Sequence, residues 1–166
     1  MPTIHLAHEI ACDVDTFWKI FFDKEFNTKL YRESLGFPEF DVLELTETDT
    51  EIRRKARGMP KMNVPGAIQK LFGSNFRYEE TGVFDRAKKE YSWKFKPSAL
   101  EGKLIQDGTV RAEPHGEGKV RRVVKILLEA KVFGVGGLIE STAEKQVRDG
   151  WDNSARFMNE WLKKPR

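Results

Sequence analysis

The chain has 166 residues, 39% of them hydrophobic and 33% charged, with a formal net charge of +3. That balance can build one core under a solvated surface, which excludes wholesale disorder. Acids and bases are interleaved without a run of five like charges, which excludes the basic footprint of a nucleic-acid binder.

No stretch approaches the ~20 apolar residues needed to cross a bilayer. Residues 1–11 lack the apolar core of a signal peptide. The single cysteine, Cys12, has no internal partner, as suits a reducing compartment. The chain is therefore expected to be cytoplasmic, whole, and one domain spanning residues 1–166.

The first predicted element is a strand over residues 3–11, with Ile4, Leu6, His8 and Ile10 on one face. Asp13 or Asp15 then offers the N-cap of a helix carrying Phe17, Trp18, Ile20, Phe21 and Phe22. A second short helix runs from about residue 24 to 34 with Phe26, Leu30 and Tyr31, and Gly36 is placed to end it. From residue 37 the period changes to two. Strands over 37–48 and 50–59 form a hairpin near Thr48–Asp49.

A break at 60–73 holds a short helix started by Pro65-Gly66. Strands follow at about 75–85, 88–96, 103–114 and 119–131, with connections short enough to require an antiparallel meander. The last segment, 137–163, returns to helical spacing. Ile139, Ala143, Val147, Trp151, Ser154, Met158 and Trp161 fall on one stripe. The order is strand, two helices, six strands and a long helix. It predicts an α+β domain in which seven antiparallel strands are covered by that helix.

This order resembles the START, Bet v 1-like and polyketide-cyclase (SRPBCC) superfamily, whose helix-grip fold wraps a curved seven-stranded antiparallel sheet around a long C-terminal helix. The run from Ile10 to Trp18 looks like that superfamily's first strand turning into its first helix. Within it, the chain is similar to a bacterial family of uncharacterised proteins. That similarity rests on Phe26-Asn27-Thr28-Lys29-Leu30-Tyr31, Gly82-Val83-Phe84-Asp85, Gly102-Lys103-Leu104 and the segment from Phe133 to Glu140. The resemblance implies a cavity that holds lipids or other apolar molecules in many relatives, and it implies no particular reaction.

Alternation names the inward faces. Candidate ligand-binding wall residues on the strands are Phe76, Tyr78, Trp93 and Phe95, with Ile126 and Leu128 on the last strand. Val147, Trp151 and Met158 face them from the helix, where Ala143, Gly150 and Ser154 are small enough to leave space. The other reading of these small residues is close helix–sheet packing. His8, Arg54, Glu80 and Arg122 sit in phase with buried neighbours and are candidate polar anchors. Either arginine is placed to pair with Glu80, and a structural salt bridge competes with a ligand contact. Met62, Val64 and Ile68 form a candidate gate, or a plug, beside Lys61 and Lys70.

No catalytic motif is present. Cys12 lacks a nucleophile setting, and His5 and His8 point to opposite faces of one strand. No metal or other cofactor is expected. The expected function is binding of a lipid- or sterol-like molecule for carriage or transfer, with transient membrane contact and no nucleic-acid partner. One alternative is a polyketide cyclase or aromatase-like enzyme using His8, Arg122 or Tyr78 for acid–base steps. The other is a co-chaperone-like protein-interaction module.

Overall fold

The computed structural model describes residues 3–164; the two residues at each end of the expected domain lie outside the described residues. Strand β1 (Thr3–Ile10) leads into helix α1 (Val14–Phe21), capped by the Asp13 carboxylate, which accepts from the Thr16 N–H at 2.8 Å. Helix α2 (Lys24–Lys29) is capped in the same way by Asp23. The predicted second helix changes character at its end. Residues Leu30–Ser34 form a π turn, closed by a 2.9 Å bond from the Leu35 N–H to the Leu30 carbonyl. Gly36, at φ +72°, then turns the chain away.

The hairpin strands are β2 (Glu39–Glu47) and β3 (Glu51–Met59), with a register shift between Val42 and Glu44. Helix α3 (Gly66–Phe72) fills the break before β4 (Tyr78–Asp85). The sheet is completed by β5 (Glu90–Pro97), β6 (Leu104–Pro114) and β7 (Val120–Ala130), and the long helix α4 (Gly136–Lys163) follows. All pairings are antiparallel, in the order β1-β7-β6-β5-β4-β3-β2. The expected strand at 75–85 starts at Tyr78, and Phe76, although buried, lies in the connection before it.

The fold has two apolar regions. The larger packs α1 and α2 with Met158 and Trp161 of α4 against the inner faces of β1 and β4–β7. Trp18 and Phe21 of α1 and Phe22 at its C-cap meet Phe84 and Tyr91 edge-on or tilted, with Phe17 packed behind them on Trp18 and Phe21, which closes one end of the fold. The smaller region joins Ile68 of α3 with Ala130 and Ile139 at the other end. Helix α4 rests on β1 and β7.

Three inner-face glycines shape the space between. A Cβ at Gly58 would lie 2.9 Å from the Tyr78 ring; at Gly82 it would overlap Tyr91, and at Gly108 it would overlap Trp93. Each ring lies flat over a glycine on the neighbouring strand, the arrangement in which an aromatic side chain covers an exposed glycine backbone. Rings laid against the sheet do not fill the volume above it. Substituting Gly82→Ala is therefore expected to push Tyr91 off its seat and destabilise the fold by about 1–3 kcal/mol, as overpacking does. Urea denaturation checks this; unchanged stability would show that Tyr91 relocates freely.

Candidate functional site

Between α4, α3 and the hollow of the sheet lies a cavity of about 810 Å³. The sequence-predicted wall residues Phe76, Tyr78, Trp93, Phe95 and Leu128 line it from the sheet side, and Val147, Trp151 and Met158 from α4. Ile126 is not among them. It is fully buried, paired across the sheet with Ile4 and Gly108, and belongs to the core. Trp93 and Trp151 stack across the cavity at 5.8 Å between ring centroids, yet the volume remains. Met62, Val64 and Ile68, the candidate gate, also line it, with exposed Lys61 and Lys145 at its rim.

Of the small residues on α4, Gly150 borders open space, since a Cβ there would meet nothing within 4 Å. Ser154 has a different use: its hydroxyl accepts from Arg122 at 2.9 Å and donates to the Trp151 carbonyl at 2.8 Å. Its small size makes room for a guanidinium as much as for a ligand.

The polar residues separate into two groups. In the first, Arg54 pairs with Glu80 at 3.4 Å and donates to the Phe21 carbonyl at 3.0 Å, at the C-terminal end of α1 where partial negative charge gathers. Its guanidinium also lies 4.8 to 5.5 Å from the centroids of Phe21, Tyr91 and Phe22. The Tyr91 hydroxyl donates to Glu80 at 2.9 Å. Burial pushes the Tyr31, Tyr78 and Tyr91 hydroxyls well up, so all three stay protonated. Of the two pairings open to Glu80, the fold uses the one with Arg54.

In the second group, Arg122 is buried and donates to Ser154, to the Trp151 carbonyl at 2.8 Å and to His8 Nδ1 at 3.0 Å. Its guanidinium lies 4.8 Å from the Trp151 ring centroid. Burial pushes it down to about 9, which leaves it charged at neutral pH. His8 does not reach the cavity wall; it stands behind Arg122, with Nε2 2.7 Å from the Asp152 carboxylate. Arginine has no acceptor, so Nδ1 must be unprotonated and Nε2 must carry the hydrogen. The geometry therefore fixes His8 as neutral. Burial draws it below its usual 6.5, opposed by the hydrogen bond to Asp152.

Asp152 and Tyr31 were not singled out by sequence reasoning. Asp152 falls off the apolar stripe of α4, and only the approach of β1 to that helix gives it a role. Among the described residues no group of three or more His, Cys, Asp or Glu side chains could hold a metal ion. No helix of the described residues is long and apolar enough to cross a membrane.

A curved seven-stranded antiparallel sheet closed over a cavity by a long C-terminal helix defines the helix-grip fold of START and Bet v 1-like proteins. Solved structures share it. A protein from Thermus thermophilus superposes with a TM-score of 0.68 at 18% identity, covering 96% of this chain and 95% of that one. The Zhui aromatase/cyclase of a Streptomyces species gives 0.64 at 11% identity, over 95% and 91%. Norcoclaurine synthase of Thalictrum flavum, in complex with dopamine and hydroxybenzaldehyde, gives 0.67 at 12% identity, over 99% and 89%. Within this fold the chain belongs to the family described as "Protein of unknown function (DUF2505)", whose model matches residues 5–162. No curated protein matches it.

The His8 contacts set a pH dependence. A histidine whose folded pKa is depressed stabilises the fold above its unfolded pKa, and that contribution is lost as the pH falls from 6.5 toward the folded value. Stability is thus expected to decline as the pH drops below about 6.5, and His8→Gln should flatten that part of the decline. Thermal melts of both proteins between pH 7.5 and 5 measure it. Parallel curves would show that protonation of His8 is tolerated.

Proposed function

We propose that this chain acts as a single ligand-binding domain that takes up a hydrophobic small molecule of the lipid or sterol class and carries it. The observation that supports this most is the 810 Å³ cavity, walled mostly by aromatic and aliphatic side chains with polar and charged ones among them. Small-molecule sites run from about 300 to 1,000 Å³ and are lined mostly by such groups, with a few fixed polar ones. The shared fold of a START superfamily protein from Mycobacterium smegmatis, with a TM-score of 0.60, agrees with it.

Binding is favoured over turnover by the state of two of the groups named for acid–base work, Tyr78 and His8. Tyr78 is held protonated by burial, and His8 is engaged behind Arg122 rather than on the wall. A cyclase-like reaction needs a group able to exchange a proton near neutral pH within reach of the substrate. A reducing compartment suits Cys12, which is buried and unpaired.

Carriage also requires a place to load and unload. At the α3 end, Phe133 is fully exposed in the turn before α4, with Leu71 and Leu138 partly exposed on the two helices. Exposed Lys70, Lys103 and Lys131 belong to the same end, which is held together by the small core of Ile68, Ala130 and Ile139. Apolar side chains with lysines beside them suit brief contact with an anionic bilayer.

Two measurements test this reading. Gly150→Leu is expected to fill open space and weaken binding of the neutral probe N-phenyl-1-naphthylamine at least tenfold, about 1.4 kcal/mol. The fold should be retained or stabilised, because glycine costs a helix about 1 kcal/mol relative to alanine. A probe that binds both proteins equally, or neither, overturns the reading. For the membrane contact, Phe133→Asp should abolish co-sedimentation with phosphatidylglycerol vesicles while leaving probe binding unchanged. Undiminished co-sedimentation would remove Phe133 from that role.

A further inference from the structure

The interior has two guanidinium groups and unequal compensation for them. Arg54 has Glu80 at 3.4 Å. Arg122, at 2% exposure, is bound among the described residues only by neutral acceptors: a serine hydroxyl, a main-chain carbonyl and an unprotonated imidazole. The nearest carboxylate in that chain of contacts is Asp152, on the far side of His8. Among the described residues the Nε of each arginine is buried without a hydrogen-bond partner, and both side chains line the cavity, so what sets Arg122 apart is the lack of a direct carboxylate. A buried cation with no carboxylate directly against it is costly unless an anion arrives to balance it.

Resting on the proposed binding of an apolar molecule, we infer that the ligand is an amphipathic carboxylate whose head is held by Arg122. Ser154, His8 and the Trp151 carbonyl fix the guanidinium in place before the ligand arrives, so little ordering remains to be done on binding. The opposite end of the cavity discourages the reverse orientation. Glu129 and Glu140 line it there; Glu129 Oε1 lies 4.0 Å from the Lys131 ammonium, and its Oε2 is buried without a hydrogen-bond partner among the described residues. A carboxylate placed beside them would meet like charge. The head therefore lies under the middle of α4, and the tail runs past Leu128 and Val147 toward Met62 and Ile68 of the α3 segment.

The test compares dodecanoate with dodecanol, which share a chain and differ in the head, by calorimetric titration at pH 7.5. The wild-type protein is expected to bind dodecanoate about tenfold or more tightly than dodecanol. Arg122→Gln should bring dodecanoate down to the level of dodecanol, leave dodecanol unchanged, and be rescued in part by Arg122→Lys. Equal binding of the two by the wild type, or a preference that survives Arg122→Gln, overturns the inference while leaving apolar binding intact. Failure of both compounds to bind overturns the apolar reading and the inference with it. Because a buried arginine's replacement can unfold the protein, carboxyl-13C dodecanoate bound to the wild type gives a second readout. Its carboxyl should titrate at lower pH than when free, and titration at or above the free value overturns the inference.

Discussion

The interior is hollow because the large rings of the sheet are committed to the sheet itself. Tyr78, Tyr91 and Trp93 are large inner-face side chains, and a Cβ on the glycine facing each would crowd or overlap its ring. With Gly58, Gly82 and Gly108 in place, each ring settles against the neighbouring strand and gains contact area there, while Trp93 also stacks on Trp151 of α4. Their hydroxyl and indole groups are tied down too: Tyr91 to Glu80, and Trp93 Nε1 to the Gln106 carbonyl at 3.1 Å. The rings are thus spent on lining, and the helix cannot approach further because it already rests on β1 and β7. The cavity is the wedge left between a helix supported at one edge of the sheet and strands that curve away from it.

The same wedge explains where the polar groups stand. Arg122 is on β7, where α4 is closest, so its side chain reaches Ser154 and the Trp151 carbonyl directly. Arg54 is on β3, far across the curve, and finds its partners in α1 and β4 instead. One arginine is neutralised by a carboxylate, and the other is steadied by dipoles and a neutral histidine. Dipoles hold a guanidinium in position but leave its charge unbalanced. The edge of the wedge consequently holds a well-anchored cation with no carboxylate directly against it.

Much of this was legible in the sequence. Period-two alternation from residue 76 to 130 named the inner faces correctly, and the stripe from Ile139 to Trp161 identified the buried side of α4. Depth was not legible. Ile126 and Leu128 share a face of β7, yet Ile126 is sealed in the core and Leu128 borders the cavity. Which of them meets open volume depends on how far the sheet has curved at that residue, and alternation carries no measure of curvature. His8 was assigned to the right face for the same reason, and to the wrong depth: Arg122, the longer side chain beside it, takes the wall. The glycines carried a signal that pattern reading passed over, since an inner-face glycine across from an aromatic residue marks a ring laid flat.

Residues that look interchangeable on one stripe of α4 therefore have opposite relations to the interior. Gly150 and Ser154 are one turn apart, both small and both on the cavity. Adding atoms at Gly150 would meet nothing and would only occupy space that a ligand could use. Adding them at Ser154 would displace Arg122 from the oxygen that positions it, and so disturb His8 and Asp152 behind it. Position 150 thus bears on how much ligand the cavity holds, and position 154 on what charge it presents to that ligand. Size alone does not say why a small residue stands in a helix; the atom it touches does.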